Sequence, residues 1–301
     1  MILIISNNNE RTTNKIIEWL LEMKKEFIRI HEDEIFEIAV ENKKILLRSN
    51  RNSFFLDKIT SVWYRRGGLK IKRLNYENPS VNAHMNEVQH WLEDYVRTIL
   101  ESKKHINKES NSDVNKLLVL EEAKKIGLEI PEYFLADNTD QVSLDKTIVK
   151  TIGGNPILDD IDTDLNGIMY TSVVHKREKT KFFITFFQDR IDKEFEIRTF
   201  YLNGKCHSMA IFSQNDEQTK TDFRKYNLEK PNRNVPYKLS SDIEEKIKLL
   251  MNSLDLNCGS LDFIKGKDGK FYFLEVNTIG QFLGLSRTCN YSVDKKIADY
   301  L

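Results

Sequence analysis

The sequence predicts an α/β fold in three parts: a first αβ domain over residues 1–112, then two α+β parts over residues 113–187 and 188–301. The chain opens with a short apolar strand followed by an amphipathic helix. A polar segment, residues 105–113, then leads into another helix, which marks a domain boundary. Two dipeptides that favour tight turns, Asn203-Gly204 and Asp268-Gly269, indicate β-hairpins in the last third of the chain.

The first domain is predicted to alternate strands with two amphipathic helices. Apolar residues recur at helical spacing over Thr13–Lys25 and, over a longer stretch, from Ser80 to Lys104. In the long helix the recurring apolar positions are Val81, Met85, Val88, Leu92, Tyr95, Val96 and Ile99. All three tryptophans, Trp19, Trp63 and Trp91, fall on apolar faces, so we expect them in the core. The predicted strands are Met1–Ser6, Phe27–Ile30, Ile35–Val40, Lys44–Arg48 and Val62–Arg65.

The second part of the chain opens with a helix. We expect Asp113 to cap its N-terminus and Gly127 to end it. A stretch rich in Gly, Asn and Asp, Thr151–Gly167, is predicted to be a long loop that stays mobile until a ligand binds. The remaining predicted elements are strands Tyr133–Ala136, Thr147–Lys150, Ile168–His175 and Lys181–Gln188, and helix Ser241–Leu254.

Composition limits the classes of partner. The 46 Lys and Arg residues balance 46 Asp and Glu residues, so we expect neither nucleic acid nor an anionic membrane as a partner. No apolar stretch approaches the ~20 residues that a spanning helix needs, and the N-terminus lacks the basic region of a secretory signal. Three widely spaced cysteines are typical of reduced thiols rather than a disulfide framework. The sequence therefore predicts a cytoplasmic protein.

The hairpin around Asp268-Gly269 predicts a metal site. If these two residues form the loop, pairing back along the strands sets Asp262 opposite Glu275, with Asn277 on the same face. Two facing carboxylates are destabilising unless something lies between them. A divalent cation removes that penalty, and a set of Asp, Glu and Asn oxygens suits Mg²⁺. The alternative is a pair of exposed acids on a solvated hairpin.

Two further positions carry candidate phosphate ligands. On the strand before Asn203-Gly204, Glu196 and Arg198 share a face; they are either an ordinary ion pair or a hydroxyl acceptor beside a phosphate-binding fork. Lys150 ends a strand before Thr-Ile-Gly-Gly-Asn, which is either a phosphate cradle or a solvated lysine before a loop. Neither a P-loop nor a dinucleotide-binding fingerprint is present.

Taken in order, several segments resemble the ATP-grasp superfamily over residues 113–301. They are Asn115-Lys116, Ile148-Val-Lys150, Phe186-Phe-Gln-Asp-Arg-Ile191, Glu196-x-Arg198, Leu261-Asp-Phe263 and Leu274-Glu-Val-Asn277. The resemblance implies an ATP-grasp fold behind an N-terminal pre-ATP-grasp domain, with ATP and Mg²⁺ as cofactors. It implies that Lys116 and Lys150 contact phosphates, and that Glu196 holds the ribose, with Glu194 as the alternative residue for that role. The adenine would lie against the backbone of Gln188, Asp189, Arg190 and Ile191, and the Mg²⁺ ligands would be Asp262, Glu275 and Asn277.

Within that superfamily, the opening Ile4-Ile-Ser6 with Thr12-Thr13-Asn14 looks closest to the grasp-with-spasm branch of the graspetide (microviridin-type) peptide maturases, and three further segments are similar to these maturases. They are Val-Trp-Tyr-Arg-Arg (62–66), Met-Ala-Ile-Phe-Ser-Gln (209–214) and Thr-Asp-Phe-Arg-Lys-Tyr (221–226). The resemblance implies a ligase that phosphorylates side-chain carboxylates of a ribosomal precursor peptide. A Ser or Thr hydroxyl, or a Lys amine, then closes an ω-ester or ω-amide ring. It also implies a homodimer.

Phosphoryl transfer requires mostly positioning and charge neutralisation, so Arg198 and Arg224 are the candidate catalytic cations and Asp222 the residue that orients Arg224 or meets the acceptor. Arg224 lies in a charged segment that is equally typical of a solvated loop. Arg65 or Arg66 is expected to touch an acidic peptide, or else to be an exposed arginine on a core strand.

No general base is assigned. The competing functions are a ligase that adds an amino acid to a protein or peptide carboxylate, and a protein that binds ATP without turnover.

Overall fold

The computed structural model describes residues 1–153, 157–162, 165–168, 170–216, 218–225 and 227–301, with the backbone alone at 157–162 and 165–168. The chain divides into two units. The first unit comprises Met1–Ser112, Gln281–Ser286 and Ser292–Leu301, and the second comprises Asp113–Gly280 and Arg287–Tyr291. The predicted division into three parts, at residues 112 and 187, stays a prediction.

The described residues form helices and strands in the following order. The helices are α1 (Arg11–Glu22), α2 (Pro79–Glu101), α3 (Lys116–Ile126), α4 (Ser241–Ser253), α5 (Leu283–Thr288) and α6 (Val293–Tyr300). The strands are β1 (Ile2–Ile5), β2 (Phe27–Ile30), β3 (Ile35–Glu41), β4 (Lys44–Arg48), β5 (Ser53–Phe55), β6 (Ser61–Tyr64), β7 (Lys70–Ile71), β8 (Lys104–Ile106), β9 (Tyr133–Ala136), β10 (Thr147–Lys150), β11 (Ile157–Asp162), β12 (Leu165–Ile168), β13 (Ser172–Val173), β14 (Thr185–Asp189), β15 (Lys193–Leu202), β16 (Lys205–Phe212), β17 (Arg233–Tyr237), β18 (Cys258–Gly266) and β19 (Phe271–Asn277). A short 3-10 helix covers Leu56–Lys58.

The first unit contains two four-stranded sheets. One is parallel, in the order β2-β1-β6-β8, and its central strands β1 and β6 are buried along their whole length. Continuous apolar runs are typical of parallel strands covered on both faces. The other sheet has the order β5-β4-β3-β7. Glu10 caps the N-terminus of helix α1, because its carboxylate accepts a hydrogen bond from the Thr13 backbone N–H. The helix buries Ile16 and Leu20.

The second unit is built around a five-stranded antiparallel sheet in the order β17-β16-β15-β18-β19. Apolar residues on one face of this sheet, among them Ile197, Phe263 and Phe273, pack with Val119 of α3 and Ile247 of α4. Alternation along each strand sends the neighbouring polar residues to the opposite face. A second sheet, in the order β13-β10-β14-β9, and the β11-β12 pair complete the unit.

Several local predictions need correction. Asn115 caps α3 in place of Asp113, because its side-chain oxygen accepts from the N–H groups of Leu117 and Leu118. Gly127 does end that helix, with a left-handed backbone. The stretch predicted as a loop contains strands β11 and β12. The rest of it includes residues 154–156 and 163–164, which lie outside the described residues, so its mobility stays a prediction.

The structure also bears on the predicted burial of the tryptophans, on the state of the cysteines and on the character of the helices. Trp63 is 2% exposed, but Trp91 is 60% exposed, so the prediction that Trp91 lies in the core is wrong. All three cysteines lie in the described ranges and form no disulfide bond. Among the described helices, none combines the length and the apolar character needed to cross a bilayer.

Candidate functional site

The second unit holds a cleft of about 640 Å³ that opens on the polar face of the five-stranded sheet. Its walls come from β10, β14, β15, β18 and β19, from Lys116 at the start of α3, and from residues 220–224. The volume lies within the ~300–1,000 Å³ of small-molecule sites. Of the residues singled out in the sequence, Arg198, Asn277, Arg65 and Arg66 are not among those that line this cleft.

Three charged residues form a row on the polar face of the sheet, and two of them, Asp262 and Glu275, line the cleft. The strand registers set Arg198 of β15 beside Asp262 of β18, and Asp262 opposite Glu275 of β19. The Arg198 Nη1 lies 3.7 Å from the Asp262 Oδ1. Asn277 donates from Nδ2 to Asp262 Oδ2 at 3.4 Å, so its side chain reaches the same carboxylate. The predicted pairing of the two acids is confirmed.

The turn that leads to this pairing differs from the prediction. A two-residue type I′ turn requires a positive φ at both central residues, and of the two only Gly269 has one (φ 86°). The turn is therefore one residue longer, with Gly266 N donating to Lys270 O at 2.9 Å. A β-bulge at Leu274 takes up the extra residue and restores the register at Glu275. At Asn203-Gly204, by contrast, both φ angles are positive, and the predicted two-residue turn is confirmed.

Asp262 is a largely buried carboxylate, with its side chain 13% exposed, that lacks part of its hydrogen bonding. Burial raises its pKa, and the nearby Glu275 raises it further, against the lowering effect of Arg198. Its Oδ1 has no hydrogen-bond partner in the described part of the chain. A buried acceptor left without a partner costs ~1–3 kcal/mol. A cation between Asp262 and Glu275 would satisfy that oxygen and reduce their repulsion, so the residues present fit a divalent ion with oxygen ligands.

Glu275 is ionised by the lysines around it. Burial opposes its charge, but Lys116 and Lys150 lower the pKa of Glu275 to about 2. The Lys116 Nζ lies 2.9 Å from the Glu275 Oε2 and also donates to the Thr151 carbonyl at 3.0 Å. Burial lowers the pKa of Lys150 to about 8, although Glu275 acts to raise it. Two ammonium groups and two carboxylates thus share one end of the cleft.

Arg224 and Asp222 form a partly buried pair at the cleft wall. The guanidinium donates to both carboxylate oxygens, from Nε at 2.8 Å and from Nη2 at 2.6 Å. Thr171 N also donates to Asp222. Burial acts against the charge of each, but their mutual hydrogen bonds lower the pKa of Asp222 and raise that of Arg224. Asp222 therefore fixes the orientation of Arg224, which is one of the two roles that the sequence left open. Tyr226, the last residue of that motif, lies outside the described residues.

Glu196 is bonded within the protein. Lys193 donates to its Oε1 at 2.6 Å and Ser213 to its Oε2 at 2.8 Å, and burial raises its pKa. Glu194 also lines the cleft and is exposed. Sequence reasoning missed Lys193 and Ser213, which lock Glu196 in place. Ser213 lies within the 209–214 segment that the resemblance had already marked.

The segment 188–191 forms the inner wall of the cleft. Gln188 is fully buried, and neither atom of its amide has a partner within the described residues. The N–H of Asp189 donates to Glu132 O, and that of Arg190 donates to Lys146 O, both at 2.8 Å. An unpaired amide that is buried in a cleft wall can donate to and accept from a bound heterocycle.

The two arginines of the Trp-Tyr-Arg-Arg motif, both in the first unit, differ in environment. Arg65 is 4% exposed, and its Nη2 lies 3.4 Å from Glu10 Oε1 and 3.2 Å from Gln281 Oε1. Arg66 is exposed and lines a separate polar cavity of about 520 Å³ together with Glu10 and Glu32. Of the pair, only Arg66 presents a side chain to solvent, and the expected contact with a peptide stays a prediction.

No protein-family model matches the chain, and no curated protein does. Solved structures do match over its whole length. A RimK domain protein ATP-grasp from Sphaerobacter thermophilus is 10% identical, with a TM-score of 0.55 and coverage of 100% of this chain and 98% of that one. The chain thus has the ATP-grasp fold, as its sequence motifs predicted, and the cleft lies in the part of the chain that carries those motifs.

More similar structures include two enzymes of one kind. A RiPP-associated ATP-grasp ligase from Chryseobacterium gregarium, in complex with ADP and a leader and core peptide, is 24% identical with a TM-score of 0.79; the match covers 100% of this chain and 96% of that one. The macrocyclase MdnC from Microcystis aeruginosa, bound with precursor peptide MdnA, is 22% identical with a TM-score of 0.75, covering 100% and 98%.

Proposed function

We propose that this protein is an ADP-forming ATP-grasp ligase that activates side-chain carboxylates of a ribosomal precursor peptide and closes ω-ester or ω-amide rings. The row Arg198–Asp262–Glu275 carries the proposal, because Asp262, with an oxygen that accepts no hydrogen bond from the described residues, faces a second carboxylate in a cleft of suitable volume. The cations of the cleft support the same conclusion. The similar ligase and macrocyclase were solved with a leader and core peptide and with a precursor peptide.

Asp262, Glu275 and Asn277 would hold Mg²⁺, since they supply the oxygen ligands that this ion prefers. When bound, ATP would supply the phosphoryl group that converts a peptide carboxylate into an acyl phosphate, with ADP as the leaving group, and Mg²⁺ would screen the negative charge of the phosphates. The unpaired amide of Gln188, together with the backbone from Asp189 to Ile191, would bind the adenine. The ribose role stays with Glu196 or Glu194, of which Glu194 is the exposed one.

The cations of the cleft divide the remaining work. Lys150 and Lys116 would bind phosphates at the end of the cleft where Glu275 lies. Arg198, beside Asp262, and Arg224, held by Asp222, would stabilise the charge that builds up on the transferred group. In the second step a peptide hydroxyl or amine attacks the acyl carbon, its proton passes to a base that remains unassigned, and phosphate leaves with the electrons of the C–O bond.

We propose that the peptide is an acid- and Thr/Ser-rich precursor, that Arg66 is the arginine that contacts it, and that the enzyme is a cytoplasmic homodimer. The exposure of Arg66, in contrast to the buried Arg65, favours this assignment. Thiols without disulfides are typical of a reducing compartment.

The test is intact-mass analysis after the protein is mixed with Mg-ATP and the acid- and Thr/Ser-rich peptide encoded nearest its own gene. We expect one water lost per ring and ADP formed only when the peptide is present. Glu275→Gln should abolish both, while Asp242→Asn, which changes an exposed acid on α4, should leave both unchanged.

Other outcomes would replace the proposal. A mass gain that requires a free amino acid would identify an amino-acid ligase. ATP binding without ADP formation, with a peptide that other evidence shows to be cognate, would identify a nucleotide-binding protein. Normal ring closure by Glu275→Gln would remove the metal site from the mechanism.

A further inference from the structure

We propose that Lys193 is a positioning residue: it attaches the segment that carries Arg224 to the five-stranded sheet of the second unit. This segment, residues 213–224, follows β16, and its described part contains no helix or strand. We call it the Arg224 segment. Connecting segments are in general more mobile than the strands they join, whereas a cation that acts on a phosphoryl group must be held in place. The inference rests on the proposed function, because it concerns where Arg224 stands during phosphoryl transfer.

A β-bulge directs the Lys193 side chain into the cleft. The register of β15 against β18 leaves Glu194 as an extra residue between Lys193 and Phe195. In an unbroken strand Lys193 and Glu196 would point to opposite faces, because they are three positions apart. The bulge brings both side chains to the cleft, where the Lys193 Nζ lies 2.6 Å from the Glu196 Oε1. Bulges next to functional sites commonly redirect a side chain in this way.

The buried ammonium of Lys193 binds the Arg224 segment directly. Lys193 is 6% exposed, and a lysine is almost never buried to this degree without partners. Besides Glu196, it donates to the Thr221 carbonyl at 3.1 Å, 28 residues further along the chain. The other oxygen of Glu196 accepts from Ser213, the first residue of the segment, at 2.8 Å. One buried ion pair therefore holds the segment at its start and again near its end.

The contact at Thr221 is transmitted to Arg224 through the residue between them. Asp222 follows Thr221 directly, and its carboxylate accepts two hydrogen bonds from the Arg224 guanidinium and one from the Arg224 N–H. A shift of the Thr221 carbonyl would move Asp222 and, with it, the guanidinium. Lys193 thus determines the position of Arg224 relative to the proposed Mg²⁺ ligands on the same sheet.

Hydrogen bonds inside the Arg224 segment preserve its shape without attaching it to the sheet. The fully buried Thr219 donates to the Ser213 carbonyl at 3.0 Å, and Gln214 donates to the Lys220 carbonyl at 3.3 Å. Outside the segment, the Thr171 N–H also donates to the Asp222 carboxylate. Loss of Lys193 should therefore loosen the segment as a body rather than unfold it.

Limited trypsin digestion of the full-length protein, without nucleotide or peptide, measures the attachment. Trypsin cuts after Lys220 and Arg224, both inside the segment, and mass spectrometry identifies the fragments. We expect Lys193→Met to be cut there about tenfold faster than the wild type, because a hydrogen bond from a charged donor is lost. Lys193→Arg, which can donate to both acceptors, should recover most of the resistance. Lys248→Met, which removes an exposed lysine of α4, should behave as the wild type.

Kinetics separate positioning from a direct contact with ATP, since Lys193 also lines the cleft. Lys193→Met should lower kcat for peptide-dependent ADP formation on the order of a hundredfold, which is the cost of a small displacement of a reacting group. The Kd for a non-hydrolysable ATP analogue should stay the same. Lys193→Arg should recover part of the lost kcat.

A double variant keeps the test valid if Lys193→Met does not fold. That substitution leaves the buried Glu196 without its counter-charge, so Lys193→Met/Glu196→Gln is compared with Glu196→Gln alone. The double variant should have the melting temperature of Glu196→Gln, yet show faster cleavage and a lower kcat, because Thr221 still lacks its donor.

Three results would overturn the proposal. They are cleavage at the reference rate in the Lys193 variants, a kcat of the double variant equal to that of Glu196→Gln, and weaker binding of the ATP analogue with slow cleavage. The last would make Lys193 a nucleotide ligand. If the wild type forms no ADP with the peptide, the proposed ligase function fails, while the digestion still decides whether Lys193 holds the segment.

Discussion

Two carboxylates, the buried Glu10 in the first unit and the largely buried Asp262 in the second, differ in how completely the protein satisfies their hydrogen bonding. Glu10 accepts from the Thr13 backbone and hydroxyl and lies beside Arg65; burial acts to raise its pKa, but these contacts lower it overall. Asp262 keeps an oxygen without a partner in the described part of the chain, and its pKa is raised. The satisfied acid stabilises the fold, whereas the unsatisfied one carries a desolvation cost that the proposed metal ion would relieve.

The largest expected effect is on turnover. Asp262→Asn should lower ADP formation with the cognate peptide on the order of a thousandfold, about 4 kcal/mol of transition-state stabilisation, because a charged ligand of the proposed metal ion is lost. The melting temperature without ligands should change little, since the repulsion of Glu275 that is relieved offsets the attraction of Arg198, 3.7 Å away, that is lost. A clear loss of stability in this variant would show that Asp262 is as structural as Glu10.

Glu10→Gln should produce the opposite result, a loss of stability rather than of a metal site. Removing one member of a buried ion pair leaves Arg65 without its counter-charge, and we expect a cost of about 3 kcal/mol in the free energy of unfolding. Urea unfolding measures it, with Glu18→Gln on the exposed side of the same helix as the control. The double variant with Arg65→Met should recover part of the loss; no recovery would mean that the helix cap, not the ion pair, is responsible.

The pH dependence sharpens the same distinction. The pKa of Glu10 in the folded protein is lowered from its ordinary value of 4.5, so its contribution to stability is present above that pH and is lost as the pH falls through the folded value. The difference in unfolding free energy between wild type and Glu10→Gln should therefore shrink from pH 7 to pH 3. A difference that stays constant with pH would rule out the charge as its source.

Substitution of Glu93 should have the smallest effect on the free energy of unfolding, because its ion-pair partner Arg73 is more exposed to solvent than Arg65. Its carboxylate is 8% exposed, but the Arg73 side chain is 43% exposed, so solvent screens the pair. Glu93→Gln should lower the unfolding free energy less than Glu10→Gln does, and added salt should reduce the difference. An equal loss for the two variants would mean that burial of the acid alone sets the cost.

Much of this arrangement is predictable from spacing. Strand parity places Asp262, Glu275 and Asn277 on one face, and the motif order identifies the ATP-grasp fold; that Arg198 lies beside Asp262 depends on the pairing of two separate hairpins, which the sequence does not give. The environment of a residue is less accessible, because it depends on partners distant in sequence: Arg65 is buried against Glu10, which lies 55 residues away. The prediction that Trp91 is buried failed for a related reason. An apolar face on a helix does not reveal whether the core of the same chain covers that face.

The predicted pairing of Asp262 with Glu275 is confirmed although the hairpin differs from the prediction in two places, because the two differences cancel in the strand register. The count assumed a two-residue turn and an unbroken ladder, whereas the structure has a longer turn and a bulge at Leu274. The bulge has a physical reason: it lets Phe273 pair with Phe263 in the core, with ring centroids 5.4 Å apart, while Glu275 still faces the cleft. In an unbroken strand, Phe273 and Glu275 would face the same side of the sheet because they are two positions apart. The bulge lets one face the core and the other the cleft, and strict alternation in the sequence does not predict this.

That bulge also has an evolutionary consequence. Because Leu274 absorbs one residue of offset between the tip of the hairpin and the acidic pair, the length of the turn and the spacing of the two carboxylates are set by different parts of the strand. We expect the turn to tolerate insertions during evolution while Asp262 stays paired with Glu275 across the two strands. The hairpin thus separates a segment that is open to variation from a pair that selection can hold constant.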